Sequence, residues 1–169
     1  WVEKPADKPA GFYDPSYPVD GWNEIPVPGN WELNGYGIPV YVNIRYEFTS
    51  DPRPPDIPDD HNPVGSYRTT FTIPPEWEKR QVFIHFGAVK SAMYLWINGK
   101  QVGYSQDSKL PAEFNITPYI TEGRNTLALE VYRWSDGSYL ECQDFWRISG
   151  IERDVFLYST PVYHIRDFF

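Results

Sequence analysis

Cysteine is almost missing from this sequence: Cys142 is the single one in 169 residues. No intramolecular disulfide can form, and nothing resembles the paired Cys/His spacing of a zinc site. Basic residues are also scarce, with 15 Lys+Arg against 23 Asp+Glu and a formal net charge of −8. A phosphate backbone is held by clustered cations, so the composition argues against a nucleic-acid partner. No apolar run approaches the ~20 residues of a membrane helix, and no membrane partner is expected. Trp1-Val2-Glu3-Lys4-Pro5 offers neither an initiator Met nor the apolar core of a signal peptide, while the other end stops on Phe168-Phe169 without a polar tail. Both ends are expected to be cuts within a longer chain.

What the sequence does have is aromatic mass. Seven Trp, 13 Tyr and 10 Phe make up 18% of the chain, which excludes disorder despite 17 Pro and 12 Gly. A domain of this length buries roughly 70% of its unfolded surface and needs no covalent staple.

Prolines concentrate in residues 1–65, from Pro5 to Pro63, at a density that forbids helices and central strands. This third is expected to be extended and irregular with short strands. Its Trp22, Trp31, Tyr36, Tyr41, Tyr46 and Phe48 are expected to pin loops onto a sheet.

After Gly65 the period becomes two. Tyr67, Thr69, Phe71 and Ile73 alternate with polar residues until Pro74-Pro75, and Val82, Ile84 and Phe86 alternate with Phe83 and His85. His85 then reads as a structural residue on a packed sheet face. Ser91–Ile97, Asn98-Gly99 and Lys100–Tyr104 predict an antiparallel hairpin, because Asn-Gly tolerates the positive φ angles of a type I′ turn. Asn125–Arg133, Asp154–Tyr158 and Val162–Ile165 predict three more strands. The one helical candidate is Thr117-Pro118-Tyr119-Ile120, where Thr117 can cap and Pro118 suits the first turn. Six or more short strands without a long helical period predict an all-β fold, a β-sandwich of jelly-roll type.

The segment Arg133–Arg147 holds four large aromatics and three carboxylates just after a strand, the residue types that meet the apolar face and the hydroxyls of a sugar. Asp136-Gly137 by itself is a turn signal, so Asp136 is expected to bond its own backbone. The run Trp134-Ser135-Asp136-Gly137-Ser138-Tyr139-Leu140-Glu141, followed by Gln143-Asp144-Phe145-Trp146-Arg147, resembles the N-terminal sugar-binding domain of glycoside hydrolase family 2 β-galactosidases. Collinear with it are Val27-Pro28-Gly29-Asn30-Trp31-Glu32, Pro39-Val40-Tyr41-Val42-Asn43, Leu95-Trp96-Ile97-Asn98-Gly99 and Val102-Gly103-Tyr104-Ser105-Gln106-Asp107-Ser108.

The resemblance implies a single jelly-roll domain over residues 1–169, with an extended segment at 1–20 and a linker beginning at 160–169. It would position a β-galactoside substrate for downstream domains of its own chain, in an enzyme that is a homo-oligomer and cleaves terminal galactose with retention. The two catalytic glutamates would lie on a later barrel, so neither Glu113 nor Glu141 is expected to be catalytic. Asn43 matches the asparagine that reaches toward the galactosyl subsite. Asp144 matches the aspartate that contacts the sugar and ligates Na+, while any Mg2+ belongs to the catalytic domain. Competing structural readings make Asn43 plain scaffold and Asp144 half of a buried ion pair beside Arg147. Cys142 stands where the family pattern has an acidic residue, and it reads as a packed small residue. The rival functions are a free-standing carbohydrate-binding module, or the same domain of a β-glucuronidase or β-mannosidase. Bacterial cytoplasm and periplasm both remain open.

Overall fold

The computed structural model describes residues 1–169 apart from positions 44 and 142, so the expectation for Cys142 lies outside the described residues. Two antiparallel sheets face each other. The strands are β1 (Gly29–Asn30), β2 (Val40–Val42), β3 (Val64–Thr72), β4 (Gln81–Phe86), β5 (Val89–Lys90), β6 (Ala92–Ile97), β7 (Lys100–Gln106), β8 (Ala112–Asn115), β9 (Arg124–Tyr132), β10 (Phe145–Arg147), β11 (Gly150–Ile151) and β12 (Val155–Thr160). One sheet has the order β3-β9-β6-β7 and the other β12-β4-β8, and two small ribbons, β1-β11-β5 and β10-β2, close one end. Chain neighbours mostly sit in different sheets, which is the jelly-roll wiring.

The period-two pattern decides which side chains meet. Met93, Leu95 and Ile97 of β6 and Leu127, Leu129 and Val131 of β9 face Val82, Ile84 and Phe86 of β4, and these form the core with Trp31 and Ile151. On the far side of β4, Phe83 stacks on Tyr158 and His85 on Phe156, with ring centroids 5.2 and 4.6 Å apart. His85 is thus part of a packed sheet face, its Nδ1 lying 3.6 Å from Glu113.

The β6-β7 hairpin turns at Asn98 (φ 51°) and Gly99 (φ 79°), as a type I′ turn requires. Asn98 locks it from outside the strands: its Nδ2 donates to the Tyr119 carbonyl at 2.9 Å and its Oδ1 accepts the Thr126 N–H at 2.9 Å. Gly65 has a different reason. A Cβ there would sit 2.6 Å from the Trp31 ring, so the strand needs the missing side chain to admit the indole.

Three expectations are corrected. Val162–Ile165 is not a strand: it pairs with no strand among the described residues, and Tyr163 and Ile165 are exposed. Thr117–Ile120 makes a hydrogen-bonded turn and no helix, because the Thr117 hydroxyl is spent on the Val82 N–H at 2.8 Å, across to another strand. The α-helix forms instead at α1 (Ser138–Glu141). Among the proposed anchors, Trp31 and Phe48 are buried and Trp22, Tyr36 and Tyr46 half-buried, but Tyr41 is exposed.

Candidate functional site

The ribbon of β2 and β10 pairs Val42 with Phe145, Tyr41 with Trp146 and Val40 with Arg147. At its open end the backbone N–H of Asp144 donates to the Asn43 carbonyl at 2.9 Å. Asp144 takes a positive φ of 47°, which its short polar side chain tolerates. Asn43 and Asp144, far apart in sequence, therefore become neighbours with both side chains exposed. The Tyr41 hydroxyl donates to Asp144 Oδ1 at 2.5 Å, and this bond to a carboxylate holds the phenol above its ordinary pKa. Tyr41 and Trp146 meet edge to face, 5.6 Å between centroids, and each keeps about half its surface in solvent, at 53% and 54%. A carboxylate, an amide and two exposed rings thus share one edge.

Beneath the edge the support is buried and charged. Arg147 is 1% exposed; its Nε donates to Glu47 at 3.1 Å, and its Nη1 and Nη2 donate to the carbonyls of Phe145 and Val42 at 3.1 and 3.0 Å. One guanidinium therefore ties both strands of the ribbon together. Arg133 donates from Nη2 to the carbonyls of Ile38 and Arg147 and lies 3.5 Å from Glu32, whose other oxygen accepts the Ser149 N–H at 2.8 Å. Burial raises the Glu32 pKa and lowers that of Arg133, each disfavouring the charged form, with their mutual attraction working against both shifts.

This geometry disposes of one alternative. Asp144 is exposed and Arg147 is committed to Glu47, so Asp144 is not half of a buried ion pair with Arg147. Asp136 accepts the Gly137 N–H at 2.9 Å, the local bond expected of it. Glu141 accepts from Ser108 and Glu113 sits beside His85. Sequence reasoning missed Tyr41 as a site residue. The signal was present, since Tyr41 and Asn43 are two apart and emerge on one side of an extended segment. It also missed Glu47, which no local pattern links to Arg147.

Among the described residues no group of three or more His, Cys, Asp or Glu side chains is placed to hold a metal. Asp144 fits as one oxygen ligand of a hard monovalent cation, and the other donors would have to come from elsewhere. A cavity of about 710 Å3 shares none of these residues; it lies between the two sheets beneath residues 19–27 and is lined by core side chains such as Phe71, Ile84 and Leu129.

The family described as glycosyl hydrolases family 2, sugar binding domain, matches residues 1–161. The chain is 54% identical over 159 residues to a β-galactosidase of Priestia megaterium, covering 93% of this chain and 15% of that protein. It is 51% identical over 167 residues to a β-galactosidase of Vibrio cholerae, covering 99% of this chain and 16% of that protein. A solved Bacteroides uniformis β-glucuronidase superposes with a TM-score of 0.71 at 26% identity, over 91% of this chain and 16% of that one. The chain spans about one sixth of the length of these relatives. It belongs to glycoside hydrolase family 2, as the sugar-binding domain found in its β-galactosidases.

Proposed function

We propose that this domain works within a retaining β-galactosidase, without catalytic groups of its own, and that its Asn43–Asp144 edge helps to position the terminal galactosyl group. The observation that carries the reading is the Asp144 carboxylate, exposed yet oriented by Tyr41 beside Asn43 on a ribbon that Arg147 makes rigid. Such a carboxylate can accept two sugar hydroxyls without first being ordered, which lowers the cost of binding. Asn43 can both donate and accept. The Trp146 ring is available to the apolar face of a ring substrate. Na+, where bound, would take Asp144 as one ligand and supply a positive charge that hydroxyl oxygens can coordinate. Galactose is favoured over glucuronate by the identity of about one half to β-galactosidases, against 26% to the glucuronidase.

The test is Asp144→Asn in a full-length family 2 β-galactosidase that carries this domain, assayed across a sodium series beside its thermal melt. The expected result is a weakened or lost sodium response and a raised KM with a nearly unchanged melt. A normal sodium response and KM would remove Asp144 from the site. The 169-residue chain alone is expected to hydrolyse no chromogenic β-galactoside, since the two carboxylates the reaction needs would lie downstream.

A further inference from the structure

The β3-β9-β6-β7 sheet has a second face that the function above does not use. Alternation along β6 sends Tyr94 and Trp96 outward while Met93, Leu95 and Ile97 go to the core. Register places Tyr104 of β7 on one side of Tyr94 and Glu130 of β9 on the other, and sets Tyr132 opposite Ala92. The rings gather as a consequence, with Tyr94 4.8 Å from Tyr104, 6.0 Å from Trp96 and 6.1 Å from Tyr132 between centroids.

A far wall comes from the N-terminal segment. Tyr13 stacks on Trp96 at 5.1 Å and 7°, and the Arg68 guanidinium fixes the segment by donating to the carbonyls of Phe12 and Asp14 at 2.5 and 2.9 Å. Between this wall and the sheet lies a cavity of about 420 Å3, lined among others by Tyr13, Tyr94, Trp96, Gln101 and Glu130. That volume is within the range of roughly 300–1,000 Å3 usual for small-molecule sites. It shares no residue with the Tyr41–Asp144 edge.

The polar groups of the groove are arranged in advance. Lys8 Nζ donates to Glu130 Oε1 and to the Tyr132 hydroxyl, both at 2.8 Å, and the Tyr132 hydroxyl donates to the same Glu130 oxygen at 2.6 Å. The ammonium offsets the carboxylate, so the groove is locally near neutral in a chain of net charge −8. Free anions gain nothing there. A neutral ligand with one apolar face and several hydroxyls gains twice: its C–H face can lie against Tyr94 and the edge of the Tyr13–Trp96 stack, and its hydroxyls can meet the Glu130 carboxylate and the exposed Gln101 amide that line the cavity.

We propose that this groove binds one neutral sugar unit, a second saccharide site on the domain. The inference rests on the groove and not on the role of Asp144, so the two readings fail independently.

The test is titration of the chain with lactose, followed by the Trp96 indole resonance and fluorescence, with sodium galacturonate as the anionic control. Expected is saturable binding in the millimolar range, shifts at Trp96, and galacturonate weaker by about fivefold or more. Asp144→Asn leaves this binding intact, whereas Tyr94→Ala, which removes a ring that lines the cavity, weakens it by about tenfold. Should Tyr94→Ala unfold, Gln101→Ala on the exposed rim serves in its place, with an expected loss of about threefold. Absence of any Trp96 response at about 100 mM lactose, which puts the Kd beyond the range where such contacts count, overturns the proposal. So does an equal response to galacturonate, or a full-length structure in which polypeptide fills the groove.

Discussion

The Tyr41 hydroxyl donates to Asp144 Oδ1, 103 residues away in the chain, across the β2-β10 ribbon at 2.5 Å. The bond joins two exposed side chains, so it adds little to stability; its effect is to fix which way the carboxylate points. Asp144→Asn removes the charge that holds the Tyr41 proton, and the Tyr41 pKa should fall back toward the ordinary value of about 10. A pH titration of the labelled Tyr41 ring by NMR checks this. An unchanged midpoint would mean that the hydroxyl points elsewhere in solution.

The buried support beneath that edge should respond in the opposite way. Glu47→Gln leaves Arg147, 1% exposed, without its counter-charge, and a broken buried pair costs about 3–5 kcal/mol. Asp144→Asn, at an exposed position, should change stability by no more than about 0.5 kcal/mol. Urea melts of the two variants side by side decide the matter: equal losses would put Asp144 back into the scaffold.

The hairpin turn offers a local test. Gly99 sits at φ 79°, and a Cβ there would come within 3.2 Å of Pro15 Cδ. Gly99→Val therefore meets both backbone strain and the N-terminal segment, and should cost on the order of 1–3 kcal/mol. A melting temperature equal to that of the parent chain would contradict the turn geometry.

How much of this was legible depended on distance along the chain. The strands β3, β4, β6, β7, β9 and β12 could be read because the period of two and the Asn98-Gly99 turn are local signals, whereas β5, β8, β10 and β11, of two to four residues, are too short for an alternation to show. Val162–Ile165 carries the same alternation, but among the described residues no strand pairs with it, and propensity without a partner makes no strand. The helix at Ser138–Glu141 is one turn whose N–H groups bond to carbonyls of Ser135, Asp136 and Gly137, too short for a periodicity to show. At the site, Asn43 and Asp144 came from resemblance alone. Glu47 stayed hidden because a partner 100 residues away is chosen by the folded ribbon and by no spacing.

Alkaline pH should weaken the fold through half-buried phenols. Tyr132 is pushed up to about 12, by burial first and then by its bond to Glu130, and burial also raises Tyr67, whose hydroxyl accepts the Trp31 N–H. Both folded pKa values lie above the unfolded value of about 10, so below that pH both states hold the proton and the contribution is complete. Above it the unfolded chain releases protons that the folded chain keeps, and stability falls as pH rises toward the folded values. Melting temperature should therefore decline steadily from about pH 10 to 12, and the decline should be shallower in Tyr132→Phe, which has lost one of the titrating groups. An identical slope in the variant would show that Tyr132 ionises as easily folded as unfolded, and that its hydroxyl is not held between Lys8 and Glu130.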